Sequence, residues 1–267
     1  MVPAPTMKIL FIGDIVGSPG RQMVADHLAD IRAQEPADVV IANGENAAAG
    51  FGITPRLAEE LLSQHIDVLT GGNHIWDRKE LLDYIPGEPR VLRPANFPAG
   101  SPGHGAFIGT APNGERYAVL NLQGRVFMGS SDDPFRAADR ELAALGADVK
   151  AIVVDFHAET TSEKQAMGWY LDGRVSAVLG THTHVATADE RILPGGTAYI
   201  TDAGMTGPHD GVIGMDRASV LRRFLDGMPA RFEVAAGNAQ MNCVWLNVDS
   251  STGHAISIER RCYRGDS

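Results

Sequence analysis

Two hydrophobic rhythms share this chain, and they take turns. Short β-branched runs at residues 7–12, 37–42 and 66–70 have the length and residue choice of strands. Each gives way, through a polar or glycine-rich turn, to a helical stretch at residues 20–33, 54–64 and 77–84. Thr54 opens the second of these with Pro55 in its first turn, where a missing N–H costs nothing. Strands alternating with helices in this way build βαβ units around a parallel core.

The middle of the chain changes texture. Residues 86–114 are rich in Pro and Gly, and a strand pattern follows at 116–122. A helix at 132–145, preceded by Ser131, leads into a buried strand at 151–156, and a helix at 161–171 into another strand at 175–179. The last third is β-rich, with strands at 191–193, 197–201, 231–236, 241–248 and 255–262 around one helix at 217–225. No repeat, charge block or low-complexity linker divides the chain. The pattern therefore predicts one α/β layered domain over residues 1–267, with a mixed sheet or two packed sheets and residues 1–6 as a poorly ordered lead-in.

Composition narrows the class. With 267 residues, 44% hydrophobic and 21% charged, the chain is neither disordered, collagenous nor coiled coil, and it is long enough for one large core. No apolar run approaches the ~20 residues of a membrane helix, and the regions of a signal peptide are missing. Cys243 and Cys262 form no CxxC and read as structural thiols of a reducing compartment, so the expected location is cytoplasmic. A net charge of −10 argues against an extended nucleic-acid surface, though a bound metal would let a small phosphate in. Oligomeric state is not readable from one chain, and a homo-oligomer stays open.

Chemistry gathers at the strand ends. Asp14 follows the first strand, Glu45 and Asn46 the second, and Asn73 and His74 the third. His157 closes the strand at 151–156, and Gly180-Thr181-His182-Thr183-His184 follows the strand at 175–179. In open α/β sheets ligands bind beyond the carboxyl ends of strands, so five strand ends deliver carboxylate, amide and imidazole to one rim. His182 and His184, spaced i, i+2, would point to one side of an extended segment. Such mixed N and O ligands without thiolate suit Mn, Fe or Zn, and a pair of ions about 3.5–4 Å apart clamps a phosphate for in-line displacement.

These segments resemble the calcineurin-like metallophosphoesterases. Gly13-Asp14-Ile15-Val16-Gly17, Asn43-Gly44-Glu45-Asn46, Gly72-Asn73-His74, Asn121-Leu122-Gln123-Gly124-Arg125 and Thr201-Asp202-Ala203-Gly204-Met205-Thr206-Gly207-Pro208 are similar to the YmdB-like bacterial branch over nearly the whole chain. Val16 stands where the wider superfamily has a histidine two residues after its first Asp, and Glu45 stands where it has a bridging Asp; both are features of that branch. The resemblance implies two packed mixed β-sheets flanked by helices and a dinuclear centre of divalent or mixed-valence Fe or Mn, with Zn as an alternative. It implies one metal on Asp14, Glu45 and His184, the other on Glu45, Asn73, His157 and His182, and Asn46 orienting the site or itself touching a metal. His74 would face the substrate phosphate, stabilising charge or protonating the leaving oxygen. The implied reaction is hydrolysis of a small phosphodiester such as a 2′,3′-cyclic nucleotide by a metal-bridging hydroxide.

Blander readings exist for each residue: Asp14 as a cap, Glu45 with Asn46 and Asn73 with His74 as solvated turns, His157 as a hydrogen-bonded core histidine. Their coincidence at five strand ends is what favours a site. His27 and His65 on helices and His254 in a turn read as structural, and His104 and His209 stay outside the catalytic set. An amidohydrolase barrel fits poorly, because its His-x-His comes early and the β-rich last third breaks an eightfold βα repeat. A regulatory metal-binding protein acting through RNA or a protein partner, with little turnover, remains the non-enzymatic alternative.

Overall fold

The computed structural model describes residues 5–265. Of the lead-in expected at residues 1–6, residues 1–4 lie outside that span, and Thr6 already belongs to a strand. The first half of the chain forms β1 (Thr6–Ile12), β2 (Asp14–Ile15), α1 (Gly17–Gln34), β3 (Val39–Asn43), α2 (Pro55–Ser63), β4 (Val68–Thr70), α3 (Leu81–Tyr84), β5 (Ala106–Thr110) and β6 (Arg116–Gln123). There follow α4 (Pro134–Ala144), β7 (Ala151–His157), α5 (Thr161–Leu171), β8 (Ala177–Thr181), β9 (Arg191–Ile192), β10 (Ala198–Ile200), β11 (Met205–Pro208), α6 (Arg217–Asp226), β12 (Ala239–Asp249) and β13 (Ala255–Arg264).

The strands divide between two mixed sheets. One runs β2-β11-β12-β1-β3-β4 with β13 paired to β12, and the other β5-β6-β7-β8-β10-β9. The central pairings β1–β3, β3–β4, β6–β7, β7–β8 and β8–β10 are parallel, as the βαβ rhythm predicts, while β5, β9 and β12 enter antiparallel.

Period-2 alternation sorts the side chains into layers. Ile9 and Phe11 of β1, Val39 and Ile41 of β3, and Val244 and Leu246 of β12 face Val119, Val153, Leu179 and Ile200 of the other sheet in one core. The alternate residues Leu10, Ile12, Val40 and Ala42 pack under α1 and α2. Leu120, Leu122, Val154 and Phe156 pack under α4 and α5. The result is a helix–sheet–sheet–helix stack, and its buried strands carry the near-continuous apolar runs that parallel strands require.

Local chemistry sets the helix ends. Thr54 Oγ1 accepts the Leu57 N–H at 3.3 Å, with Pro55 opening α2. For α4 the cap is Asp133 rather than Ser131; its carboxylate accepts the N–H groups of Phe135 and Arg136, and Pro134 occupies the first turn. α1 starts at Gly17, three residues before the sequence pattern becomes periodic, because Pro19 is tolerated in a first turn.

Several expectations are corrected. The strand predicted at 231–236 does not form: only Val234 makes an isolated bridge, to Met215, and its side chain packs over the bare backbone of Gly17. The helix predicted at 77–84 is reduced to α3, with turns before it and a 3₁₀ turn after it. The Pro- and Gly-rich stretch contains β5, and β11 forms from Met-Thr-Gly-Pro, a sequence with little strand preference of its own. His65 lies past the end of α2 with φ 67°.

The two halves of the second sheet meet closely beside the strand-end rim. A Cβ on Gly180 would stand 1.8 Å from the carbonyl oxygen of Thr201, so only glycine lets β8 run alongside that backbone. Gly180→Ala is expected to destabilise the fold by about 2–3 kcal/mol, read as a lower urea midpoint at unchanged m-value. A midpoint equal to wild type would contradict this close approach.

Candidate metal centre

All eight predicted site residues lie at the carboxyl ends of β1, β3, β4, β7 and β8, on one rim between the sheets. Asp14, Glu45, Asn46, His157 and His184 are buried there, and Asn73, His74 and His182 are partly exposed. Gly72 makes the convergence feasible. A Cβ at that position would fall 2.3 Å from the His157 ring and 2.5 Å from Glu45 Oε2.

His157 stands at the middle of one group. Its Nε2 lies 2.9 Å from Glu45 Oε1, 2.9 Å from Asn73 Oδ1 and 3.1 Å from His182 Nδ1. Glu45, His157 and His182 offer ligand atoms that all fall within 4.8 Å of one another. A ring N–H serves one of these acceptors; a cation among them serves all. Ligand atoms about 2.1 Å from an ion, at right angles around it, stand about 3.0 Å apart, which is the spacing seen here.

A second group adjoins it through Glu45. Asn46 Nδ2 lies 3.3 Å from Glu45 Oε1 and 3.1 Å from His184 Nε2. His184 Nδ1 donates its hydrogen to the Ile213 carbonyl at 2.8 Å, which aims Nε2 inward at the Asn46 amide. Asp14 Oδ1 is 3.9 Å from that nitrogen, and although fully buried it has no hydrogen-bond partner among the described residues. A buried orphan carboxylate oxygen beside an inward-facing imidazole nitrogen suits a cation. The donor set as a whole, carboxylate, amide and imidazole without thiolate, fits the metals expected from the sequence.

The electrostatics match. Burial works against the charge on Glu45, yet the His157 imidazole beside it holds the carboxyl down to about 2. Burial likewise opposes a charge on His157, and Glu45 outweighs it, raising the imidazole to about 9. Burial, reinforced by His157, lowers His182 to about 3 and so keeps it neutral, while burial pushes Asp14 above the usual carboxylate range. The cluster thus concentrates negative charge and neutral lone pairs in a dry place, with a single proton on His157 where a cation competes.

Residues outside the predicted set orient it. His157 Nδ1 donates to Thr181 Oγ1 at 2.9 Å, and the Thr181 hydroxyl donates to Asp155 Oδ1 at 2.6 Å. Asp155 Oδ2 also accepts from Thr70 Oγ1 at 2.5 Å and Asn43 Nδ2 at 3.1 Å, and burial pushes its carboxyl up to about 6. This chain fixes the ring and aims Nε2 at Glu45. The sequence carried one signal for it: Asp155 is the one acidic residue of β7, whose other residues before His157 are all apolar. Glu159, 3.0 Å from His182 Nε2, holds that ring from the solvent side.

The His182–His184 segment is not extended. Both residues have positive φ, 97° and 66°, a conformation that costs free energy outside glycine. What holds it is a buried ion pair. Lys164 Nζ of α5 donates to Asp202 Oδ2 at 2.6 Å, and the same oxygen accepts the N–H and hydroxyl of Thr183 at 3.1 and 2.8 Å. Both partners are about 1% exposed, and 38 residues separate them in the chain, so no local spacing announces the pair.

His74 stands in the turn after β4 with its side chain about 30% exposed. Its N–H donates to Glu45 Oε2 at 3.0 Å, its Nδ1 is 2.9 Å from Asp77 Oδ2, and its ring packs edge-on against Phe51. His209 bonds the Gly207 carbonyl and the Asn242 amide. Cys243 is buried and Cys262 exposed on neighbouring strands, remote from the rim in sequence and both free.

Two facing mixed sheets with such a cluster at their carboxyl edge define a phosphoesterase of the calcineurin-like fold. The family model described as YmdB-like protein matches residues 10–261, and the chain belongs to that family. It is 52% identical over 254 residues to the 2′,3′-cyclic-nucleotide 2′-phosphodiesterase of Bacillus subtilis (strain 168), covering 95% of this chain and 96% of that one. A crystal structure of a hypothetical protein from Thermus thermophilus superposes with a TM-score of 0.91 at 43% identity, covering 97% of this chain and all of the other. A phosphatase from Mycoplasma pneumoniae superposes with a TM-score of 0.92 at 34% identity, covering 98% of this chain and 94% of that chain.

Removing one partner of a buried ion pair leaves the other charge uncompensated. Lys164→Met is expected to cost about 3–5 kcal/mol of stability, measured by equilibrium denaturation. A loss below about 1 kcal/mol, as for an exposed pair, would contradict the role given to Lys164.

Proposed function

We propose that this protein is a dinuclear metal-dependent phosphodiesterase that opens 2′,3′-cyclic nucleotides to nucleoside monophosphates. The observation that carries the reading is the set of acceptors around His157 Nε2, joined through Glu45 to the orphan oxygen of Asp14. The activity named for the Bacillus subtilis relative supports the substrate class, given 52% identity across nearly the full length of both chains.

In this reading Asp14, Glu45 and His184 hold one ion, and Glu45, Asn73, His157 and His182 hold the other. Asn46 contributes its amide oxygen after a 180° turn of the amide, which exchanges its two nearly isosteric ends. Fe or Mn fits the donor set best, and Zn is accepted by the same ligands. When bound, such a pair activates water and neutralises phosphoryl oxygens.

The protein's own groups do the rest. Glu45 is fixed on both oxygens, by His157 on one and the His74 N–H on the other, so it spans the two groups without moving. His74, braced by Asp77 and Phe51, presents Nε2 to the cleft and passes a proton to the leaving ribose oxygen. Asp155 and Thr181 hold His157 in one orientation throughout. Close approach at Gly72, Gly13 and Gly180 keeps the rim narrow.

Wild-type protein is expected to hydrolyse 2′,3′-cyclic AMP, to lose turnover on chelation and to regain it with Mn²⁺ or Fe²⁺. Glu45→Gln should lower kcat by about a thousandfold or more, the scale of losing a preorganised charge at a reacting centre. Absence of turnover by protein with metal confirmed bound would shift the balance to the regulatory metal-binding alternative.

A further inference from the structure

On the Asn73 side the rim opens into a recess of about 360 Å³. Asn73 contributes to its wall and also lies 2.9 Å from His157 Nε2, so the recess and the metal cluster are contiguous. Trp76 and Phe97 form an aromatic wall, with ring centroids 6.2 Å apart and planes tilted by 47°. Gln123, at the end of β6 and in register with His157, forms another part of the lining. The residue is 1% exposed, and its Oε1 has no hydrogen-bond partner among the described residues.

The walls are fixed before any ligand arrives. Asn96 is fully buried and ties three segments together. Its amide nitrogen donates to the carbonyls of Gln123 at 2.7 Å and Asp132 at 2.9 Å. Its amide oxygen accepts the Gln123 N–H at 2.8 Å, and its backbone carbonyl accepts the Asp132 N–H at 2.8 Å. Immediately after Gln123 the chain turns away at Gly124, where a Cβ would lie 2.6 Å from Glu163 Oε2. The Glu163 carboxylate takes the N–H groups of Arg125 and Val126 and secures that turn.

A buried amide oxygen without a donor is rare, and beside an open recess it marks where a ligand's N–H goes. An aromatic wall supplies a stacking surface for a planar ring. The volume suits one base. A larger hollow of about 750 Å³ lies beyond Asp77, but among the described residues none of its lining groups has a buried unpartnered atom, and its Arg78 is already bonded to the Phe51 and Ala48 carbonyls.

We propose that this recess is the nucleobase subsite: the base stacks on Trp76, with the tilted Phe97 ring closing the wall beside it, and donates an N–H to Gln123 Oε1. Adenine fits the amide best, because N6–H and a ring nitrogen pair with Oε1 and Nε2 together. The proposal rests on the phosphodiesterase reading, and it assigns base recognition to residues that take no part in holding metal.

The test compares metal-loaded wild type, Gln123→Leu, Trp76→Ala and Trp76→Phe on two substrates. One is 2′,3′-cyclic AMP and the other is methyl riboside 2′,3′-cyclic phosphate, which has the same reacting group and no base. Wild type should prefer the nucleotide in kcat/KM. Gln123→Leu and Trp76→Ala should each lose about tenfold of that preference, chiefly through KM, and Trp76→Phe should keep most of it. A wild type without preference would overturn the proposal, and so would variants that lose efficiency equally on both substrates. Failure of wild type on both substrates would instead remove the phosphodiesterase reading, and the two failures are thereby distinct.

Discussion

His157 Nε2 can carry one hydrogen at most, yet Glu45 Oε1, Asn73 Oδ1 and His182 Nδ1 all approach it to 2.9–3.1 Å. A proton relieves one of these contacts; the others press acceptor against acceptor in a buried place. Acceptors do not gather in this way unless the surrounding structure compels them. Much of the fold beside the rim is compulsion of this kind. Gly72 lets two strands' worth of ligands close over its bare Cα, Asp155 and Thr181 turn the ring, and a buried Lys164–Asp202 pair supports two histidines in left-handed backbone.

The sheet architecture makes such compulsion affordable. Five parallel or mixed strands end at one edge, so each ligand needs only a short turn to reach the centre. The inter-sheet core of Ile9, Phe11, Val153 and Leu179 holds those ends rigid, and the strain at His182 and His184 is offset by packing elsewhere. The same edge carries the aromatic recess beside Asn73, so chemistry and recognition share one set of strand ends.

The parallel strands and the rim residues were legible in the sequence because both rest on local patterns. Apolar runs of strand length set β1, β3, β4, β7 and β8, and a polar ligand type at each end has no other local reason to recur. Elements whose formation depends on a distant partner were not legible. β11 lacks strand preference and forms because β12 offers an edge, and β5 is a short run set in a Pro- and Gly-rich stretch that pairs with β6, whereas residues 231–236 have the preference and find no edge. Thr183 looked like a spacer between two histidines on one face of a strand. The side chains that bend it out of that conformation, Lys164 and Asp202, lie elsewhere in the chain. Asn96 was equally silent, and Gln123 stood only inside a segment of the family resemblance, since the meaning of both is a hydrogen-bond count that only the folded chain reveals.

The central claim is that one set of strand ends holds two cations on either side of Glu45. Anomalous diffraction from crystals of protein reconstituted with Mn²⁺ tests it directly. Two peaks about 3.5–4 Å apart are expected, one beside Asp14 and His184 and the other beside Asn73, His157 and His182. A single peak, or peaks that do not share Glu45 as a neighbour, would contradict it.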